Sequence, residues 1–86
     1  MSDLEKLRKQ VDGIDDQILD ALSERAKICR EIGSIKRKQR LQIRDNSREN
    51  EIYERMRERA VKFGLDPVQV EQVFREIVNM CSAVQE

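Results

Sequence analysis

Histidine and tryptophan are both missing from this sequence. Without histidine there is no ordinary general base near neutral pH, no Ser-His or Cys-His nucleophile pair, and no imidazole ligand for zinc. Aromatic side chains are limited to Tyr53, Phe63 and Phe74, proline to Pro67, and glycine to three positions. Scarcity of all three types excludes turn-rich β architectures and fits an all-helical protein with an aliphatic core. Net charge is lacking as well: 17 basic and 17 acidic residues cancel, so no global field draws the chain to nucleic acid or an anionic membrane. No apolar run reaches a membrane-spanning length, and the opening Met-Ser-Asp-Leu-Glu has no signal-peptide core. The two cysteines, Cys29 and Cys81, have no metal-binding or redox-motif spacing. Each is expected to be a small reduced hydrophobe, which makes the cytoplasm the expected compartment. No metal or other cofactor is anticipated.

The 86 residues make one domain, of which 40% are charged and 38% hydrophobic. They are organised around one long helical pattern from Leu4 to Lys38. Leu4, Val11, Ile18, Arg25 and Ile32 fall on one heptad track, and Leu7, Ile14, Ala21, Ile28 and Ile35 on its companion. A helix over 3–40 would be about 50 Å long, roughly twice the diameter of a compact domain of this size. The rest of the chain is too short to wrap it on every side, so a second copy of the chain is expected to cover the seam. Gly13 and Gly33 each cost this helix about 1 kcal/mol relative to alanine. Gly33 signals either close helix packing or a close approach to the backbone. The run Lys36-Arg37-Lys38-Gln39-Arg40 reads as a solvated terminus matched to the helix dipole.

A connector follows, and Asp45 reads as the N-cap of a second helix over 46–63, with Ile52, Met56, Ala60 and Phe63 inward. Gly64 closes it. Asp66 then caps a third helix over 67–85, with Pro67 at its first position, Gln69 completing a capping box, and Leu65 and Val70 as a staple. Its apolar face is expected to run through Val70, Val73, Phe74, Ile77, Cys81 and Val84, ending at Gln85.

Arg25 on a core track demands an explanation, because a buried unpaired guanidinium costs several kcal/mol. It could be met by Glu49, by Asp15 of a second subunit, or by solvent. Lys36 lies eleven residues on, about 16 Å along nearly the same face. Arg8 lies 28 residues before Lys36, about 42 Å away, too far to join them within one helix. In an antiparallel pair of helices crossing near Ile18–Leu22, Arg8 of one chain would come beside the Arg25–Lys36 interval of the other. Three cations then converge at each end, a site suited to a small molecule with more than one carboxylate.

The order Leu7-Arg8-x-x-Val11-Asp12-x-Ile14-Asp15, then Leu22-x-Glu24-Arg25, Ile35-Lys36 and Arg44-Asp45-x-x-Arg48-Glu49, resembles the all-helical chorismate mutases from about residue 4 onward. The resemblance implies an intertwined homodimer of three-helix subunits. It also implies the rearrangement of chorismate to prephenate on the route to phenylalanine and tyrosine, without a covalent intermediate. By the same resemblance Arg25, with Arg8 from the other subunit, would hold the two substrate carboxylates. Lys36 and Gln85 would hydrogen-bond the ether oxygen. Asp45 and Glu49 would receive the hydroxyl, Asp45 through its backbone, and Arg48 would complete the cationic wall. Cys81 stands where family members often carry serine. A thiol is a weak donor, so a modest loss of binding is expected there. No room is left for a regulatory domain, so feedback by phenylalanine or tyrosine is not expected.

Two rival readings use the same residues. One is an isochorismate-pyruvate lyase of the same fold, disfavoured by the Asp45-Arg48-Glu49 run that would read the hydroxyl. The other is a non-catalytic helical dimerisation module in which Arg25 sets the register.

Overall fold

A computed structural model describes residues 2–86, which form three helices and no strands among the described residues. α1 spans Asp3–Lys38, α2 Asn46–Lys62 and α3 Pro67–Gln85. The start of each helix has a local chemical cause. The Ser2 side chain accepts from the Glu5 N–H at 3.1 Å, leaving Asp3 and Glu5 in the positive first turn. Asp45 does the same for the Arg48 N–H, and Asp66 for the N–H groups of Val68 and Gln69. The Gln69 side chain makes no return bond, so Asp66 and Pro67 start α3 without a full capping box.

Two helices end in the same way. After α2, Leu65 N–H bonds the Ala60 carbonyl at 2.8 Å and Gly64 N–H bonds that of Val61 at 3.1 Å, with Gly64 at φ 73°. This is a Schellman ending, in which glycine takes the left-handed residue without a Cβ penalty. After α1, Leu41 N–H bonds the Lys36 carbonyl and Arg40 N–H that of Arg37, but the left-handed residue is Arg40, at φ 57°. The chain thus turns away at Lys38, two residues before the expected end of the helix.

α3 packs against both α1 and α2, which do not pack on each other, in a body 56 × 24 × 15 Å. Tyr53 and Ala60 of α2 and Val78 of α3 are buried between elements. Glu71 of α3 accepts from Arg57 of α2 and from Arg75, and Arg75 lies 4.3 Å over the Tyr53 ring. Bonds from Arg75 and then Arg57 hold the Glu71 carboxyl below its usual range.

Three sequence expectations change in the folded chain. Phe63 and Val73, expected inward, are 68% and 58% exposed. Phe63 lies past the last turn of α2, beneath the Arg59 guanidinium, and α3 is rotated so that Val78, Ser82 and Gln85 form its buried face. Cys29 and Cys81 are not separate thiols: a disulfide joins them across α1 and α3. Their Cα atoms are 5.4 Å apart, within the range such a bond requires, and the pairing closes a separation of 52 residues. In the chain-entropy account a loop of that size is worth about 4 kcal/mol. Most of the α1 seam remains uncovered by its own chain, with Leu4, Leu7, Val11, Ile14 and Ile18 all more than half exposed.

Because Arg40 occupies a left-handed position that disfavours a Cβ by roughly 1 kcal/mol, Arg40→Gly should stabilise the fold by about that amount. Urea unfolding followed by helical circular dichroism should show a raised midpoint with an unchanged slope.

Candidate active site

Between the C-terminal half of α1, the start of α2 and the end of α3 lies an open cleft of about 300 Å³. Arg25, Lys36, Asp45, Arg48, Glu49, Cys81 and Gln85 all line it. Arg8 does not. It stands on the same continuous helix 17 residues before Arg25, about 25 Å up the axis.

α1 supplies the two central cations. Arg25 is half-buried and forms no ion pair among the described residues; its NH1 lies 3.8 Å from the Cys29 Sγ. Burial first, and then the nearby Arg48 charge, push its guanidinium down from arginine's usual value, although it remains protonated at neutral pH. Glu49, considered above as its partner, is instead gripped by Arg44 through a two-bond fork at 2.8 and 3.0 Å. That fork raises Arg44 above its usual value, and Arg44 NH1 also reaches the Asn79 side chain at 3.2 Å. Arg44 thereby ties the start of α2 to α3 and fixes the Glu49 carboxylate, which keeps lone pairs for another donor.

Lys36 is held by two neutral oxygens, the Ile43 carbonyl and, at 2.8 Å, Gln85 Oε1. Gln85 is helical and 4% exposed. Its carbonyl accepts from Arg37, and its Nε2 donates to Cys81 Sγ at 3.1 Å. Gly33 is what lets it come so close, since a Cβ built there would lie 2.7 Å from the Gln85 Cα. The two readings of Gly33 are therefore one: close packing of α1 on α3 delivers a polar side chain to Lys36. Asp45 Oδ1 accepts from the Arg48 N–H as the α2 cap, and Asp45 also lines the cleft. Cys81, bonded to Cys29, has no S–H, so the weak donor expected at that position is absent.

Three cations and two anions line the cleft, and one of the anions is already matched by Arg44. With apolar walls from Ile28, Ile32, Ile52 and Val78, the arrangement can enclose a small organic anion. Sequence reasoning missed Ser82, which is 7% exposed and lines the cleft. The spacing Val78, Ser82, Gln85 is a helical face, but a face through Cys81 and Val84 fits the apolar pattern better. Arg44 was part of the quoted pattern, yet its bond to Asn79 depends on how α2 meets α3.

A model of the family described as chorismate mutase type II matches residues 7–86. The chain belongs to that family. It is 39% identical, over 99% of its length, to a bifunctional chorismate mutase/prephenate dehydratase of Aquifex aeolicus, and spans only 24% of that protein. It is 29% identical to a chorismate mutase of Methanocaldococcus jannaschii, aligning over 95% of this chain and 83% of that one. Among solved structures, a conserved hypothetical protein from Pyrococcus furiosus is similar, with a TM-score of 0.78 and 34% identity over 100% of this chain and 99% of that one. Chorismate mutases are isomerases.

Gly33→Ala should disturb this cleft more than it disturbs the fold. Alanine gains about 1 kcal/mol of helix propensity, but its methyl must push the Gln85 backbone away from Lys36. Gly13→Ala, with nothing within 4 Å of the new methyl, provides the comparison. Thermal unfolding should show no loss for Gly13→Ala and a lowered midpoint for Gly33→Ala, because overpacking of about 1–3 kcal/mol offsets the gain in propensity, and turnover should fall at least tenfold for Gly33→Ala alone.

Proposed function

We propose that this chain, as an intertwined cytoplasmic homodimer, rearranges chorismate to prephenate by electrostatic and conformational catalysis. The reading is carried by one observation: a half-buried Arg25 without an anion, set in a cleft beside the Lys36–Gln85 pair. Arg25 and Arg8 of the partner subunit hold the two carboxylates of the substrate, Arg25 by bidentate contact. Binding the dianion folded, with its reacting carbons in contact, removes much of the entropic barrier. As the ether C–O bond breaks and the new C–C bond forms, negative charge grows on the ether oxygen. The Lys36 ammonium and the Gln85 amide meet it. Gln85 Nε2 now rests on sulfur, a weak acceptor that an ether oxygen outcompetes. Glu49, steadied by Arg44, and the Asp45 backbone receive the hydroxyl, and Arg48 adds to the cationic wall. No proton is transferred, so the absence of histidine is no obstacle. The uncovered α1 seam supports the dimer, and Arg8 joins the site only through it.

Following chorismate by ultraviolet absorbance, with product analysis, tests the assignment. Prephenate formation is expected. Pyruvate release from isochorismate, with chorismate left intact, would identify a lyase, and inertness toward both would identify a dimerisation module.

Roles divide by timing. Lys36→Ala should lower kcat on the order of 100-fold with KM little changed, because it meets charge present only in the transition state. Arg25→Ala removes a contact already made to the bound substrate and should raise KM as well as lower kcat. Steady-state kinetics separates the two, and a Lys36→Ala effect confined to KM would contradict the assignment.

If each site combines Arg25 of one chain with Arg8 of the other, Arg8→Ala and Arg25→Ala homodimers each lose both sites. Unfolding and refolding the two variants together should restore activity, because one pocket of each heterodimer is then intact. Verified heterodimers without activity would exclude the shared site.

A further inference from the structure

The Cys29–Cys81 disulfide lies inside the cleft, and each sulfur touches a functional side chain. Cys29 Sγ is 3.8 Å from the Arg25 guanidinium, and Cys81 Sγ accepts from Gln85 Nε2 at 3.1 Å. Gln85 in turn accepts from Lys36 at 2.8 Å. A disulfide sulfur carries no proton and can only accept. It therefore turns the Gln85 NH₂ toward itself and leaves Oε1 for the ammonium.

The bond is also half of a two-point tie between parallel helices. Cys29 meets Cys81, and one turn further along both helices Gly33 meets Gln85, where even a Cβ would lie 2.7 Å from the Gln85 Cα. The last turn of α3 is thus located by a covalent bond and by the close contact beside it. Bonded sulfurs sit about 2 Å apart, whereas unbonded atoms of this size need roughly 3.5–4 Å. Breaking the bond moves the sulfurs more than 1 Å apart, a change that side-chain rotation and a shift of the last turn of α3, one turn before Gln85, must share. Displacements of that size at a reacting centre cost rate on the order of 10²-fold.

We propose that the Cys29–Cys81 pair is a positioning element that makes turnover depend on oxidation state: the disulfide holds Gln85 against Lys36, and the dithiol releases it. The catalytic part rests on the mutase reading above. Oxidation proceeds by exchange with a low-molecular-weight disulfide. One cysteine thiolate attacks a reagent sulfur and expels a reagent thiolate, forming a mixed disulfide. The second cysteine thiolate then attacks the protein-bound sulfur and expels the other. The two cysteines give up two electrons and two protons, and the reagent leaves as two thiols. A dithiol reverses this by attacking Cys81 Sγ, which faces the cleft and is less buried than Cys29.

The test equilibrates the protein anaerobically in buffers of graded oxidised to reduced dithiothreitol. Thiols are counted by alkylation and mass spectrometry, and kcat and KM for chorismate are measured in each buffer. On reduction kcat should fall at least tenfold while KM stays within about threefold, with the same midpoint as thiol appearance and unchanged helical circular dichroism. Cys29→Ser, which breaks the bond and keeps the Cys81 thiol, should hold the reduced-state rate in every buffer. Amide hydrogen exchange across residues 78–85 should quicken on reduction. Equal kcat in verified disulfide and dithiol forms overturns the proposal, as does a pair that stays reduced in excess oxidant. An oxidised protein that leaves chorismate unchanged overturns the mutase reading and the catalytic part with it. In that case unchanged hydrogen exchange overturns the positioning part, and faster exchange supports it.

Discussion

A 36-residue helix with an apolar seam on one side is the constraint to which everything else in this chain answers. Its own chain covers only a strip through Cys29 and Gly33, where α3 lies against it, and leaves the seam from Leu4 through Ile18, and Ile28 and Ile35 as well, exposed. A stripe of that length is larger than a stable soluble monomer ordinarily presents. The helix is also rigid enough to carry a side chain about 25 Å from the cleft of its own subunit. The same property that leaves the seam unsatisfied would thus deliver Arg8 to a second subunit, so assembly and the completed site are one problem in the proposed dimer.

Within the cleft the physical economy is electrostatic. Arg25 is placed without an anion among the described residues, Lys36 is held by neutral oxygens, and Glu49, the cleft carboxylate considered as a partner for Arg25, is taken by Arg44. Diverting Glu49 keeps Arg25 unmatched, at a cost in burial that is visible in its lowered pKa. An unmatched cation in a partly dry site interacts more strongly with an incoming anion than one already neutralised. The proposed reaction moves charge without moving protons and needs no titrating imidazole, and the sequence contains no histidine.

α3 is the element through which these demands are reconciled. It sits between α1 and α2, accepts Arg44 through Asn79, and presents Val78, Ser82 and Gln85 inward. The disulfide and the Gly33 contact fix its last turn where Gln85 must be within hydrogen-bond reach of Lys36.

The residues that fix helix boundaries could be read directly: Asp45 and Asp66 as caps, Pro67 as a first position, and Gly64 as a stop. Each acts on backbone groups within a few residues, so the information is local. The spacing of Arg25 and Lys36 on one face was equally legible, because a single helix fixes it. Arg40 in a left-handed turn was not, since nothing in its side chain favours that conformation. The inward face of α3, the Arg44–Asn79 bond, the place of Ser82 and the union of Cys29 with Cys81 were decided only by tertiary structure. All four depend on how far α3 is rotated about its axis and how closely it crosses α1 and α2. A 3.6-residue period records which residues share a face, and carries no record of what that face meets.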